Sequence, residues 1–274
     1  AIDDRSMGVT NDSSVDVAVM GGGVNGTGVA RELSLRGRRV VLFERNDFAF
    51  GASGNSSGMI HGGPRYLAYD PDVTYTSCLD SGHIQRIAPH LLFRIPFLMP
   101  VSRGLGSKAT LLGMDAFFDL YDKYQPLKHG KPHVLLGAED VRALEPGIAG
   151  ELEGGISFDE WGIDGTRLCV ASAVDARETG AEIRTHCTVT EILRGEDRRV
   201  LGVRFQDLTT GESGRRTARV VVNATGAWAP ITTGLGAVTS KAARVRPGKG
   251  IHVFFDRRLT NFAIAAKAID GRQV

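Results

Sequence analysis

Residues 15–44 read VDVAVMGGGVNGTGVARELSLRGRRVVLFE, and three patterns in that order decide the fold. Val15, Val17 and Val19 alternate into a short apolar run that meets Gly21, Gly22 and Gly23, the mark of a buried strand ending in a tight turn. Val29, Leu33 and Leu35 then recur at helical spacing as far as Gly37, and residues 39–44 form a second strand. Strand, helix and strand within about thirty residues make a crossover unit whose two strands are parallel.

The glycines carry the first chemistry. A bare Gly21-x-Gly23-x-x-Gly26 pattern is weak, but here it follows a strand and opens a helix. Gly21 permits the turn, Gly23 lets backbone approach a pyrophosphate, and Gly26 allows close helix packing, so an anion can rest on free amides at the positive helix end. Glu44 ends the second strand, 23 positions after Gly21, where a carboxylate accepts both hydroxyls of an adenosine ribose and disfavours a 2'-phosphate. A glycine turn that serves folding alone is the competing reading.

Working outward, the 274 residues are 42% hydrophobic and 23% charged, which excludes disordered and collagen-like chains. A net charge of +2 gives no reason to expect nucleic acid as a partner, and the basic run at 244–249 is too short to change that. Cys78, Cys169 and Cys187 are odd in number, far apart and without metal-ligand spacing. They point to buried thiols in a reducing compartment, with neither a disulfide nor a metal site. Residues 1–14 are polar and offer neither a signal peptide nor a membrane span, so the expectation is a cytoplasmic protein.

Residues 47–69 are rich in Gly, Ser and Asn and show little periodicity, and a loop of that length is unusual unless it has work to do. Helices are expected over 72–88, 111–124, 139–145 and 167–179, and strands over 155–158 and 182–187. Residues 91–101 are apolar with prolines. Residues 200–206 and 219–222 flank a turn at 209–214, as in a hairpin, and the second of these strands runs into Ala224-Thr225-Gly226-Ala227-Trp228. The 111–124 helix reads first as packed on its own domain and second as a surface touching lipid, because it lacks a strongly basic polar face.

Pattern alone does not separate FAD from NAD. FAD is favoured because chemistry-capable residues follow the second strand at once, in 51–66, where a flavin that extends past the first domain needs them. These residues also carry a resemblance. Gly21-Gly22-Gly23-x-Asn25-Gly26, Glu44, Asp47-Phe48-Ala49 and His61-Gly62-Gly63-x-Arg65-Tyr66-Leu67 resemble the amino-terminal segment of the FAD-dependent glycerol-3-phosphate dehydrogenases, within the D-amino-acid-oxidase-like flavoproteins. The likeness continues through Leu98-Met99-Pro100, Leu144-Glu145-Pro146, Asn223-Ala224-Thr225-Gly226-x-Trp228 and Arg246-Pro247-x-Lys249-Gly250-x-His252.

The resemblance implies an α/β fold: a Rossmann-like FAD-binding domain with an inserted mixed α+β substrate domain. Its segments are expected at 1–90 and 161–235 for the first and at 91–160 and 236–274 for the second. The last is expected to be incomplete, because Asp270-Gly271 reads as a turn with no partner strand after it. The implied reaction oxidises sn-glycerol 3-phosphate at C2 to dihydroxyacetone phosphate, with hydride passing to flavin N5. Electrons leave to a quinone, with peripheral contact at the inner face of the cell membrane. Arg65 would hold the substrate phosphate through paired hydrogen bonds and His252 would act as base or polarise the alcohol, while Lys249 reads either as adding positive potential or as a solvated lysine. His61 is read either as packing on the flavin or as moving a proton.

For the cofactor, the resemblance adds Arg45 beside Glu44 and Val189 at the adenine through its backbone, although the sequence alone reads Val189 as ordinary core. Ser53, Ser56 and Ser57 read either as bonding pyrophosphate or ribityl oxygens or as an ordinary serine-rich surface loop, and Ala224, Gly226 and Trp228 either as the end of a sheet or as residues near the flavin. Two positions depart from the family: Asn55-Ser56-Ser57-Gly58 lacks the basic neighbours usual at the serine pair, and Pro64 replaces an aliphatic residue. The alternatives are an FAD enzyme acting on another small hydroxy acid or an amine, and a redox-inactive FAD-binding module.

Overall fold

In the computed structural model of the chain, residues 11–236, 248 and 250–265 are described. In chain order the elements are β1 (Asn11–Met20), α1 (Val24–Leu35), β2 (Val40–Phe43), α2 (Pro71–Ile87), β3 (Leu92–Ser102), α3 (Ser107–Asp122), β4 (Val134–Gly137), α4 (Ala138–Leu144) and β5 (Leu152–Ile163). There follow α5 (Gly165–Glu178), β6 (Glu182–Arg184), β7 (Cys187–Arg194), β8 (Val200–Asp207), β9 (Ser213–Asn223), α6 (Ala229–Thr233) and β10 (Ala263–Ile264). They form two compact units, the first from Ala1–Gly58 and Asp164–Gly250, the second from Met59–Ile163 and Ile251–Val274. The chain therefore enters the second unit at Met59, inside the long loop, whereas the sequence reading carried the first segment on to residue 90. Helix α2 explains the difference: its buried face, including Cys78, packs into the core of the second unit.

The first unit is a six-stranded sheet in the order β6-β2-β1-β9-β8-β7. β6, β2, β1 and β9 are parallel, and β8 and β7 continue antiparallel. The expected crossover β1-α1-β2 and the expected hairpin, β8 with β9, are both present. Alternation along the strands sends Val17, Val19, Val40 and Leu42 to one face, against Ala30 of α1 and Ala176 of α5. Ala18, Val41 and Phe43 go to the other, against Cys187, Val203 and Phe205. Burying each large aliphatic side chain contributes about 1.5–3 kcal/mol. The alanines let α1 and α5 lie close to the sheet and to each other, where Arg31 pairs with Asp175 and the Ser34 and Thr179 hydroxyls are 2.7 Å apart. β9 starts well before the expected residue 219. Its inward residues there are Gly214, Arg216 and Ala218, and the buried Arg216 guanidinium reaches the Glu182 carboxylate, so a stretch that reads as polar is interior.

The second unit is built on a four-stranded sheet, β10-β3-β5-β4, with β10 parallel to β3 and the other pairs antiparallel. β3 absorbs Pro96 and Pro100. Leu98 O accepts from Ala265 N, so the even-numbered residues of β3 turn their backbone groups toward β10. That strand spans only two residues, and the missing proline N–H groups face where no ladder continues. Leu111, Met114, Phe118 and Tyr121, at helical spacing on α3, join Ile156 and Phe158 of β5 in one core cluster. The apolar face of the 111–124 stretch thus packs on its own unit. α4 covers the opposite face through Val141, and Glu145 and Leu144 accept from Phe262 N and from Asn261 Nδ2 (3.0 Å), tying residues 261–262 to this unit. The expected turn at Asp270-Gly271 lies outside the described residues.

All three cysteines are free and buried. His133 lies between two carboxylates that one face of α3 presents: Nδ1 is 2.8 Å from Asp122 and Nε2 is 2.9 Å from Asp115, with its side chain 6% exposed. Asp119, Asp122 and His133 bring ligand atoms within 4.8 Å of one another, but both ring nitrogens already face carboxylates, which suits an imidazolium. Burial opposes its charge, and the two carboxylates outweigh burial, so its pKa is raised. The stabilisation it contributes is full below the unfolded pKa of about 6.5 and is lost as pH rises through the folded value. The unfolding temperature is therefore expected to fall as pH rises above about 6.5, and less steeply in His133→Gln; equal slopes in the two proteins would show that the ion pair does not contribute.

Candidate active site

The turn between β1 and α1 is held by what its glycines lack. Gly21 has φ +109°, and a Cβ on it would sit 2.6 Å from Ala224 O. A Cβ on Gly26 would overlap the carbonyl oxygen of Gly21. Gly23 is the N-cap of α1 and offers no side chain to cap it. Instead Ser53 Oγ, reaching from the loop, accepts the Val24 amide at 3.0 Å, and the Thr27 amide bonds to Gly23 O. Among the described residues the amides of Gly23, Asn25 and Gly26 have no partner. Three free N–H groups at a helix N-terminus fit a pyrophosphate.

Glu44 braces the same turn. Its Oε2 accepts the Gly22 amide at 2.6 Å and its Oε1 accepts the Asn46 amide at 2.7 Å. Each oxygen keeps a lone pair, so the carboxylate can still take ribose hydroxyls. The end of β9 closes the turn from the other side, with Ala224 N donating to Met20 O at 2.9 Å. Gly226 has φ +56°, and a Cβ there would meet nothing within 4 Å, so backbone conformation, rather than a protein neighbour, explains glycine at this position. Trp228 is exposed, with its ring 3.1 Å from where a Cβ on Gly51 would lie.

Of the other expected cofactor residues, Arg45, Ser56 and Ser57 are exposed, and Ser56 Oγ accepts from Gly58 N at 3.2 Å. Val189 pairs with Phe205 in the β7-β8 ladder and packs against the core. Glu44, Ser53 and Ala224 are thus brought to the glycine turn.

In the second unit the loop that carries His61 is gripped from two sides. Thr74, Cys78 and Ser81, spaced four and three residues apart on one face of α2, direct their side chains at the carbonyls of Gly63 (3.3 Å), Gly62 (3.9 Å, a weak thiol contact) and Ile60 (2.9 Å). From β5, Glu160 Oε2 accepts the Gly62 amide at 3.2 Å and Trp161 O accepts the Ile60 amide at 3.0 Å. Gly63 is left-handed at φ +65°, and Pro64 begins a short 3-10 turn, where its missing N–H costs nothing. Burial lowers the pKa of His61; Glu160 pulls the other way, and Arg65 and Lys128 add to the lowering. The ring is therefore neutral near pH 7. Arg65 is exposed and donates to Tyr66 Oη at 2.7 Å, and among the described residues its other N–H groups have no partner.

His252 is exposed, and its described ring contact is edge-on with Phe254, 6.5 Å between centroids. Lys249 lies outside the described residues. Sequence reasoning missed Glu160 and Lys128, buried to 1% and 0% side-chain exposure and 2.6 Å apart. The only signal for Glu160 was its even spacing from Ile156 and Phe158 on the core face of β5.

A family model described as FAD dependent oxidoreductase matches residues 16–272. The chain is 34% identical over 251 residues to an alpha-glycerophosphate oxidase of Enterococcus casseliflavus, covering 90% of this chain and 41% of that protein. It is 33% identical over 256 residues to a subunit of the anaerobic glycerol-3-phosphate dehydrogenase of Escherichia coli, covering 93% and 45%. The fold is similar to that of the glycerol-3-phosphate dehydrogenase of Bacillus halodurans complexed with FAD, at TM-score 0.62 and 24% identity, covering 82% of this chain and 37% of that one. The chain thus spans less than half the length of these relatives.

Two alanine substitutions on the first turns of α1 should separate cradle from helix. Gly26→Ala must push Gly21 aside, and is expected to lower stability by about 1–3 kcal/mol and to yield protein without retained flavin absorbance. Gly28→Ala meets nothing within 4 Å and is expected to keep flavin and gain about 0.5–1 kcal/mol. Equal flavin content in the two variants would show that the turn is not the cofactor cradle.

Proposed function

The chain belongs to the FAD dependent oxidoreductase family, and from that premise we propose that it serves the oxidation of sn-glycerol 3-phosphate at C2 to dihydroxyacetone phosphate. The observation that carries this reading is the pairing, on one tethered loop, of a half-buried neutral histidine with an exposed arginine. The names of the relatives, an alpha-glycerophosphate oxidase and a component of a glycerol-3-phosphate dehydrogenase, support the substrate.

Bound FAD supplies the acceptor for the C2 hydride. The residues that hold it are the free amides of Gly23, Asn25 and Gly26 for the pyrophosphate, Glu44 for the ribose, and Ser53, which fixes the helix entrance. Arg65 holds the phosphate dianion through parallel N–H donors. A neutral ring nitrogen of His61 takes the C2 hydroxyl proton as the hydride departs, a role that needs an imidazole still uncharged at working pH. The proton acceptor is assigned to His61 in place of His252, whose ring is exposed, and His252 is kept as a group that polarises the alcohol.

The reading includes a quinone as electron acceptor and peripheral contact with a membrane face. Among the described residues no helix is long and apolar enough to cross a membrane. A second reading, dioxygen as acceptor, is favoured by the oxidase names among the relatives.

The test uses the full-length flavin-loaded protein without oxygen. Glycerol 3-phosphate should bleach the flavin, and the rate should persist below the ordinary histidine pKa of about 6.5. His61→Asn should slow it about 100-fold or more, while Arg65→Met should chiefly raise the donor concentration required. Reoxidation by a quinone or by dioxygen then distinguishes the acceptors. Flavin that stays yellow with glycerol 3-phosphate but bleaches with a hydroxy acid or an amine would overturn the substrate.

A further inference from the structure

Beneath the His61 loop lies a buried set of charges to which the proposed reaction gives no task. Glu160 accepts three donors: Lys128 Nζ at 2.6 Å and Gly62 N at 3.2 Å on Oε2, and Tyr121 Oη at 2.6 Å on Oε1. Lys128 spends its three N–H groups on Glu160, on Tyr121 Oη at 3.1 Å and on Asp159 O at 3.5 Å. Tyr121 both donates and accepts, so the set is internally satisfied, and a single hydrogen bond leaves it for the loop, to the Gly62 amide.

Desolvating an ammonium and a carboxylate costs several kcal/mol per ion, and apolar residues of similar volume often fold as well or better. Packing alone therefore does not account for this pair, which bonds to Tyr121 of the aromatic cluster that also holds Phe118 and Phe158. Its placement does. Glu160 sits on the core face of β5 directly against the loop, and Gly62 is held so closely that a Cβ would overlap Tyr121 Oη and Cys78 Sγ.

We propose that Glu160, Lys128 and Tyr121 are positioning residues for His61: the carboxylate fixes the loop through the Gly62 amide, and the ammonium cancels the charge that would otherwise draw a proton onto the imidazole. This rests on the reading of His61 as proton acceptor. An uncompensated Glu160 would favour imidazolium, the wrong form for a base. A neutral amide in its place would leave Lys128 buried without its counter-ion. The charges that act on His61 are Glu160 from β5, Arg65 from its own loop and Lys128 from the turn after α3. Around Glu160, burial keeps the Tyr121 hydroxyl protonated and pushes the Cys78 thiol up to about 11, so neither adds charge.

The experiment follows the histidine ring signals of the flavin-loaded protein by NMR across pH, with His61→Asn identifying the His61 signal. Lys128→Met should move the His61 titration up, Glu160→Gln should move it down, and the double variant should return it toward the parent value. The pH dependence of flavin bleaching by glycerol 3-phosphate should move with it. Shifts of one sign, or none, would overturn the proposal, because a structural role predicts no cancellation. Should the single variants fail to fold, the unaltered protein decides. Its Gly62 amide should exchange with solvent about 1,000-fold or more slowly than the amides of the exposed Ser56 and Ser57, and exchange at their rate would refute the clamp. If the titrations move as expected while His61→Asn leaves bleaching unchanged, the assignment of His61 as proton acceptor fails and the electrostatic coupling stands.

Discussion

Gly26 can lie on the carbonyl of Gly21 only because it has no side chain, and the first unit is arranged around that approach. It brings the start of α1 against the end of β1 and lets Gly21 turn with positive φ beneath Ala224. The amides of Gly23, Asn25 and Gly26 are then left without a partner among the described residues. The surrounding residues brace the turn while leaving those amides open. Glu44 takes Gly22 N and Ser53 takes Val24 N, each binding an amide next to, and not among, the free group of Gly23, Asn25 and Gly26. A site for a doubly charged anion is thus made from backbone amides, in keeping with the helix end as a source of positive potential.

The second unit solves a different problem by different means. Its task is to hold a loop with little regular structure, and it does so with side-chain donors from α2 and a carboxylate from β5. Backbone carbonyls and amides in an irregular buried segment need partners, and here Thr74, Ser81 and Glu160 supply them. The single loop of residues 47–63 therefore serves both units: Ser53 caps α1 in the first, and Ile60 to Gly63 are fixed in the second.

The parts legible in the sequence were those set by short-range rules. The alternating valines, the glycine spacing and Glu44 gave β1, the turn, α1 and β2 in order, and the turn at Gly211 gave the β8-β9 hairpin. What escaped was decided by partners far along the chain. Glu160 reads as a surface acid until Lys128, 32 residues away, is seen against it, and the Arg-rich start of β9 reads as a polar turn until Arg216 meets Glu182. β3 was obscured by its prolines, whose acceptability depends on β10, more than 160 residues later in the chain. The donor face of α2 looked like an ordinary run of small polar residues, since Thr74, Cys78 and Ser81 acquire meaning only from the carbonyls above them.

The three cysteines illustrate how burial governs reactivity. Burial holds Cys78 and Cys187 at a pKa of about 11 and also raises that of Cys169, so at pH 7 roughly one Cys78 or Cys187 in ten thousand is ionised. Hydrogen peroxide attacks thiolates, not thiols. These sulfurs, shielded and protonated, are therefore poor targets for sulfenic acid formation.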